Sequence, residues 1–163
     1  MRDTIGDMGG GPDGPPGASG LGGRFDGVEH RFPVRVYWED TDGSGIMYHA
    51  SYLRFAERAR TEMLRLTGTN QGTLLARDGL AFPVRRCEVD FLSPALIDDS
   101  LEVVTTVKTV RNATILLEQG IRRGEMLLAR LVIKLACVNR VGRPVRIPDI
   151  VKAALSRLEM APV

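Results

Sequence analysis

Residues 39–52, EDTDGSGIMYHASY, bring together side chains that can do chemistry. Three carboxylates, Glu39, Asp40 and Asp42, fall within four positions, and a tyrosine-histidine pair follows them. Like charges held this close repel one another, so an acidic cluster is unfavourable unless water, a metal ion or a reaction makes use of it. The cluster is therefore the first candidate for a functional site.

A metal site is one interpretation of these acids, because carboxylates near His49 could bind magnesium, manganese or zinc. No second histidine or carboxylate follows His49 at a ligand spacing such as HxxxH. We therefore expect no metal ion at this site. Glu39 and Asp40 are predicted to be solvated residues at the end of a strand, as most acidic side chains are.

Asp42 has two interpretations. It is a turn residue whose side chain bonds to local backbone amides, or it is a reacting group. The second interpretation rests on its position before Gly43 and Gly45 and before a predicted helix, whose first amides are unpaired and carry partial positive charge. A carboxylate beside such a helix start can attack a carbonyl carbon, or activate water to do so, while the amides stabilise the oxyanion. This chemistry is acyl transfer or hydrolysis.

The elements that must position these residues follow from hydrophobic periodicity. Alternation over residues 32–39 predicts a strand, and apolar side chains at helical spacing over residues 49–66 predict a long helix. Four more strands and a short terminal helix are predicted at residues 82–91, 101–111, 114–122, 126–139 and 148–158. Short turns between the later strands favour antiparallel pairing. These elements predict an α+β fold with one long helix across an antiparallel sheet of about five strands.

The first 24 residues differ in composition from the rest of the chain. They hold nine of the eighteen glycines and three of the nine prolines, with few large apolar side chains. Such a segment buries too little surface to offset its ordering entropy, so we predict a disordered tail over residues 1–24 and a single domain over residues 25–163.

Composition narrows the classes of function. The 22 basic and 20 acidic residues give a net charge of only +2, which offers no strong field for nucleic acid. Cys87 and Cys137 lie far apart, outside any metal-binding spacing, and both are predicted to be small buried residues in a reducing compartment. No apolar run reaches the roughly 20 residues of a membrane span. We therefore expect a cytoplasmic protein with neither nucleic-acid partner nor transmembrane segment.

A longer motif surrounds Asp42. Between Arg35 and Tyr52 the chain reads R-V-x4-T-D-x2-G-I-x2-H-x2-Y, and the run DFLSPALIDDSLEV follows later. The motif resembles the signature of the 4-hydroxybenzoyl-CoA thioesterase family of hotdog-fold enzymes, and the two runs together resemble most closely the acyl-CoA thioesterases associated with the Tol-Pal system. The similarity covers residues 32–150. It implies a hotdog fold, in which the sheet wraps the long helix. The short helix predicted at residues 148–158 follows the last strand.

The resemblance assigns roles to particular residues. It makes Asp42 the catalytic carboxylate and the backbone N–H of His49 the group that polarises the thioester carbonyl, with Tyr48 in the same pocket. Gly45, Ile46 and Met47 are assigned to substrate binding. Met47 stands where the signature usually has valine, and residues 43–44 are Gly-Ser where related sequences often have Ala-Gly. Neither change removes a proposed catalytic group. Both are therefore expected to affect the preference for the acyl chain more than the type of reaction.

An acyl-CoA substrate implies cationic partners, because coenzyme A carries phosphates. Arg85, Arg86 and Arg111 are the candidates on charge. Tyr52, by contrast, is predicted to lie in the core rather than in an acyl pocket.

The resemblance also implies a homodimer or a homotetramer with active sites between subunits, and no cofactor. Two other functions stay open on the sequence. One is a protein that binds an acyl carrier protein or the phospholipid-synthesis machinery with little or no catalysis, and the other is a hotdog dehydratase. The thiol carrier is either coenzyme A or an acyl carrier protein, and Asp42 is either nucleophile or general base.

Overall fold

The computed structural model of the 163-residue chain describes residues 20–160. It contains six strands, three α-helices and one short 3-10 helix. The strands are β1 (Arg24–Asp26), β2 (Glu29–Arg35), β3 (Val84–Phe91), β4 (Ser100–Val110), β5 (Thr114–Arg123) and β6 (Met126–Ala136). The helices are α1 (His49–Leu66), α2 (Gln71–Asp78) and α3 (Asp149–Ser156), and the 3-10 turn is Trp38–Asp40.

The strands form one antiparallel sheet in the order β1-β2-β4-β5-β6-β3. The predicted α+β architecture is confirmed, with one strand more than the expected five. The additional strand is β1, which pairs with β2 through a short turn at Gly27. Because it has only three residues, it carries too few alternating positions to stand out from the glycine-rich sequence before it.

The strand predicted at residues 32–39 is displaced in the structure. β2 begins earlier, at Glu29, and ends at Arg35, after which the chain turns into the 3-10 helix. Trp38, the last apolar residue of the predicted alternation, is therefore not buried in the structure, and 65% of its surface is exposed. This early end of the strand redirects the backbone into the loop that holds the acidic cluster.

Helix α1 has the predicted bounds and length. At 1.5 Å per residue its 18 residues span about 27 Å. Its buried face consists mainly of Tyr52, Phe55, Ala56, Ala59 and Met63, which recur at helical spacing, and it packs against β2, β4 and β5. The helix therefore forms the centre of the core, and its first turn is held in place by that packing.

A buried polar cluster joins α1 to the sheet. Gln119 on β5 is fully buried, and its amide nitrogen donates to the Ala56 carbonyl and to Thr105 Oγ1 at 3.0 and 2.9 Å. Its amide oxygen accepts a 2.7 Å hydrogen bond from the guanidinium of Arg60, which is also buried and pairs with Glu57. Since buried polar groups must be hydrogen-bonded, this cluster fixes the rotation and height of α1 on the sheet.

The prediction that both cysteines are buried is wrong for Cys87, which lies on the edge strand β3. Cys87 is exposed, whereas Cys137 is buried as expected. β3 pairs only with β6, so its other edge is unpaired within the described chain and most of its side chains are exposed. β6, predicted as a central strand, does lie between two neighbours, β5 and β3.

Residues 1–19 of the predicted tail lie outside the described residues. Residues 20–24 are described, and the carbonyl of Gly22 accepts a 2.8 Å hydrogen bond from Nε2 of the buried His30. Among residues 20–160, no helix is long and apolar enough to cross a membrane.

Candidate active site

Asp42 begins a small hairpin loop between the 3-10 helix and α1. The Asp42 N–H donates to the Ile46 carbonyl at 3.1 Å, and Thr41 forms a bridge with Met47. Gly43 and Gly45 have φ angles of 89° and 84°, which other residues adopt at a cost. The two glycines in the sequence are thus explained by the tight turn that presents Asp42.

Ser44 fixes the Asp42 carboxylate. Its N–H and its Oγ both donate to Oδ1 of Asp42, at 2.9 and 2.5 Å. The Ser44 hydroxyl, and then its N–H, hold the pKa of Asp42 below its ordinary value, because hydrogen bonds to the charged form favour ionisation. The side chain is exposed in the single chain. Asp42 is therefore a fully ionised, oriented carboxylate at neutral pH.

The loop is docked on a second segment that precedes β4. The Met47 N–H donates to the Ala95 carbonyl at 2.8 Å, and the Ile97 N–H donates to the Gly45 carbonyl at 2.9 Å. The Ala95 N–H in turn donates to the phenolic oxygen of Tyr52 on α1, at 2.9 Å. These bonds tie loop, helix and sheet together, so the position of Asp42 relative to α1 is set by the fold.

Asp40 is buried, which contradicts the prediction that it is solvated. Only 2% of its surface is exposed, and its Oδ2 accepts a 3.0 Å hydrogen bond from the Tyr37 N–H. Its backbone carbonyl accepts from the Tyr48 N–H and from Ser51 Oγ, at 2.8 and 3.0 Å. Asp40 therefore supports the start of α1. The 3-10 turn causes this burial, and a strand pattern does not reveal it.

The start of α1 leaves a backbone donor free. His49 is the first helical residue, and its N–H has no acceptor among residues 20–160. Such an N–H, with the helix dipole behind it, can bind an oxygen that gains negative charge. The Tyr48 and His49 rings lie beside each other, with centroids 4.3 Å apart, and both side chains are exposed.

An apolar cavity of about 290 Å³ adjoins this helix start. It is lined by Ile46, Met47, His49, Tyr52, Phe91, Leu92, Ser93 and Pro94. The Tyr52 and Phe91 rings meet edge to face at 5.2 Å. Tyr52 is buried, as predicted for a core residue, and it also forms part of the cavity wall. The lining from Phe91 onwards was not assigned from the sequence, although it belongs to the DFLSP run and an apolar pair before a Ser-Pro turn is a usable signal.

The predicted cationic residues lie elsewhere in the single chain. Arg111 follows the far end of β4, whose first residue lies near the segment on which the Asp42 loop docks, and the 11 residues of β4 extend about 36 Å at 3.3 Å per residue. Arg85 and Arg86 are at the start of β3, whereas the cavity is at its end. Arg86 is exposed and pairs with Glu88 at 2.5 Å. The structure thus brings together Asp42, Gly45, Ile46, Met47, Tyr48 and His49, without the three arginines.

Within the described part of the chain, no group of three or more histidine, cysteine, aspartate or glutamate side chains is arranged to hold a metal ion. Asp40 Oδ2 and Asp42 Oδ1 instead accept hydrogen bonds from nearby protein groups.

Comparisons with known proteins place this geometry in context. Residues 36–155 match the thioesterase-like superfamily. The chain is 48% identical over 130 residues to the acyl-CoA thioesterase YbgC of Haemophilus influenzae, covering 78% of this chain and 95% of that one. It is 44% identical over 110 residues to the acyl-CoA thioester hydrolase YbgC of Escherichia coli, covering 67% and 81%.

A solved structure is also similar to this chain, in both fold and sequence. The probable thioesterase from Bartonella henselae superposes with a TM-score of 0.71 at 42% identity, over 74% of this chain and 99% of that one. The region matched by the family model, residues 36–155, includes both the Asp42 loop and helix α1.

Proposed function

The chain belongs to the thioesterase-like superfamily and is a thioester hydrolase, and from that premise we propose that it converts an acyl-coenzyme A to a free acid and coenzyme A. The observation that carries the proposal is the free His49 N–H at the start of α1, beside an apolar cavity and the ionised Asp42 loop. An acyl thioester has matching parts, namely an apolar chain and a carbonyl whose oxygen becomes negative on attack.

In the proposed reaction Asp42 is the carboxylate that reacts. One of its oxygens attacks the thioester carbon, the carbonyl oxygen becomes an oxyanion that accepts from the His49 N–H, and the carbon-sulfur bond breaks to release the thiolate. Water then hydrolyses the mixed anhydride, which regenerates the carboxylate and frees the acid. The alternative is that Asp42 deprotonates a water molecule that attacks the thioester directly.

The electrostatics of Asp42 favour the nucleophilic route. Its pKa is lowered by Ser44, and a carboxylate with a low pKa is a weak base but remains ionised and able to attack. Rapid acid quench of a single turnover, followed by peptide mass analysis, separates the two routes. The nucleophilic route leaves the acyl mass on the peptide containing Asp42, whereas the general-base route leaves that peptide unmodified.

We propose that the acyl chain occupies the cavity lined by Tyr52 and Phe91, and that the coenzyme extends towards a second copy of the protein. β3 is a sheet edge, and large apolar side chains at its end are exposed, with Phe91 53% and Leu92 56% accessible. Exposed edges favour strand addition by another chain. Antiparallel pairing of two β3 strands would bring the partner's Arg85 and the partner's Arg86 towards this cavity. The assembly is a homodimer or a pair of homodimers.

The proposed function is tested by release of free thiol from short, medium, long and aromatic acyl-CoAs. The native protein is compared with Asp42→Asn, which keeps the shape of the side chain and removes its charge. We expect turnover to fall at least about a hundredfold, the scale of a lost catalytic acid or base. Because Asp42 is exposed, the melting temperature should stay near that of the native protein, which serves as the control.

Four outcomes would overturn parts of the proposal. Equal turnover in native protein and Asp42→Asn would remove Asp42 from the reaction. Turnover only with thioesters on an acyl carrier protein would replace coenzyme A as the carrier. Binding of thioesters without thiol release, or loss of water from a 3-hydroxyacyl thioester, would favour the binding protein or the dehydratase instead.

A further inference from the structure

The loop that carries Asp42 pairs along one side with residues 95–97, which lie just before β4. Two backbone hydrogen bonds, of 2.8 and 2.9 Å, join the two segments, and Ile46 forms an antiparallel bridge with Leu96. A displacement of residues 95–97 would therefore displace the backbone that carries Asp42. Whatever fixes this short segment also bears on the distance between the Asp42 carboxylate and the start of α1.

Residues 96–99 form a tight turn that the side chain of Asp99 helps to close. The Asp99 N–H donates to the Leu96 carbonyl at 3.1 Å, and the Leu96 N–H donates to Oδ2 of Asp99 at 2.8 Å. Backbone bonds to Val36 hold the other end of the turn, at residues 98 and 99. Asp98 has a φ angle of 67°, and it is the one residue other than glycine with a positive φ among residues 20–160. Such a conformation persists only where the surrounding contacts hold it, so the turn depends on the bonds that close it.

The Asp99 carboxylate also joins this turn to the sheet. Arg123, the last residue of β5, donates from Nη1 to the same Oδ2 at 2.6 Å. The carboxylate is 17% exposed and the guanidinium 36% exposed, so water and salt screen this pair less than a fully exposed one. Oδ2 of Asp99 thus accepts one hydrogen bond from the turn and one from the sheet. It fixes the Leu96 end of the turn relative to the end of β5.

We propose that Asp99 is a positioning residue for the reaction, which acts with Arg123 to hold the Asp42 carboxylate in place opposite the His49 N–H. Asp99 is not among the residues that line the cavity, so it acts through residues 95–97 and the Asp42 loop. The rate of a reaction depends steeply on such placement, since a displacement of about 1 Å can cost about a hundredfold. The inference rests on the proposed function and adds a residue outside the Asp42 loop that supports it.

Removal of the carboxylate tests this role. We expect Asp99→Ala to lower kcat about tenfold to a hundredfold per folded molecule, because the reacting carboxylate is displaced. KM should stay within about threefold of the native value, because the cavity residues are unchanged. The acid limb of the pH profile should keep its native position, since the Ser44 bonds that lower the Asp42 pKa lie within the loop. Asp99→Asn keeps an oxygen that can accept from the Leu96 N–H and should retain more activity than Asp99→Ala.

Another ion pair on the sheet provides the matched control. Glu118 on β5 pairs with Arg130 on β6 at 2.9 Å, and its carboxylate has no hydrogen bond to residues 95–99 or to the Asp42 loop. Glu118→Ala should therefore keep the native kcat. Arg123→Ala removes the other half of the proposed positioning pair and should lower kcat as well. The double variant Asp99→Ala/Arg123→Ala should lose less than the product of the two single losses, because both side chains act through one contact.

Amide hydrogen exchange reports on the same link without reference to activity. The N–H groups of Met47 and Ile97 make the two backbone bonds between the loop and residues 95–97. Their exchange, followed by NMR, should accelerate at least about tenfold in Asp99→Ala, because the local opening of this pairing becomes easier. Glu118→Ala should show native exchange at both amides.

The positioning role and the proposed function fail in different ways. Native kcat in folded Asp99→Ala, an equal loss in Glu118→Ala, or a raised KM at unchanged kcat would overturn the positioning role and leave the hydrolysis standing. If Asp99→Ala does not fold, native kcat in Arg123→Ala overturns it instead. A native protein that releases no thiol from any acyl-CoA would refute the hydrolysis. Faster exchange at Met47 in Asp99→Ala would then still support the link between Asp99 and the loop, and native exchange would overturn it.

Discussion

Ser44 donates two hydrogen bonds to the same oxygen of Asp42, one from its N–H at 2.9 Å and one from its Oγ at 2.5 Å. The hydroxyl is the largest of the influences that lower the pKa of the carboxyl group. Only the hydroxyl bond can be removed by changing the side chain. Ser44 therefore positions the Asp42 carboxylate, and the contribution of its hydroxyl can be tested separately from that of the turn.

We predict that Ser44→Ala moves the acid limb of the pH profile of kcat/KM to higher pH. The proposed reaction requires ionised Asp42, and loss of the hydroxyl bond raises the Asp42 pKa, so we expect activity to be lost at a higher pH as the solution is acidified. At neutral pH the loss should be about tenfold or less, since the carboxylate is still ionised. Ser44→Thr keeps a hydroxyl and should restore the native profile. An unchanged acid limb in Ser44→Ala would show that the hydroxyl bond does not act on Asp42.

A second prediction separates the His49 backbone from its side chain. His49→Pro removes the N–H but suits the first position of a helix, where proline is favoured. The preceding Tyr48, at φ −63° and ψ 135°, already has the extended conformation that a following proline requires. We expect kcat to fall about a hundredfold to a thousandfold, the effect of losing one oxyanion donor.

The matched control for this variant is His49→Ala, which keeps the N–H and loses the ring. It should retain activity within about tenfold of the native protein, and circular dichroism should show the same helix content for both variants. If the alanine variant loses as much activity as the proline variant, then the imidazole ring, and not the backbone, supports the reaction.

Long periodic elements could be predicted from the sequence because their pattern and their packing agree. Helix α1 was predicted at residues 49–66 and has these bounds, since most of the apolar positions that set its period are buried in the core. The end of β2 could not be predicted, because Trp38 continues the alternation while the backbone has already turned. Tertiary packing decides such positions, and the local pattern does not.

In the candidate site, too, some features could be predicted from the local sequence and others depend on tertiary packing. Asp42 and His49 stood out by residue type and spacing, but the burial of Asp40 depends on amides brought to it by the 3-10 turn. The Asp42-Ser44 pair has a local signal, since serine two residues after aspartate commonly closes a turn. The exposure of Cys87 depends on which strand forms the sheet edge, and strand order is a property of the whole chain.

A third prediction concerns the buried cluster beneath α1. Gln119→Leu leaves the buried Arg60 and Thr105 without their partner, and each buried polar group left unsatisfied costs about 1–3 kcal/mol. We therefore expect the free energy of unfolding in urea to fall by about 2–5 kcal/mol. Thr105→Val removes only one bond and should cost about 1 kcal/mol. A smaller loss for Gln119→Leu than for Thr105→Val would show that the amide does not hold the cluster together.

The last prediction concerns His30, which is fully buried between the rings of Phe25 and Phe32. Burial lowers the pKa of His30, outweighing the opposing effects of the Gly22 carbonyl and of Glu62. Its Nε2 bonds to the Gly22 carbonyl, and its Nδ1 has no hydrogen-bond partner among the described residues, as suits a neutral ring protonated on Nε2.

Because the folded protein disfavours the charged ring, the unfolded chain binds a proton first as the pH falls below about 6.5. Stability should therefore be fully present above this pH and should decline as the pH falls from there through the lower pKa of the folded state. Urea unfolding between pH 8 and pH 5.5 measures the slope. His30→Phe keeps an aromatic ring and cannot titrate, so its stability should change less over this interval. The other histidine, His49, is exposed and is retained in both proteins, which makes it an internal control. Parallel slopes in the two proteins would show that His30 does not cause the pH dependence.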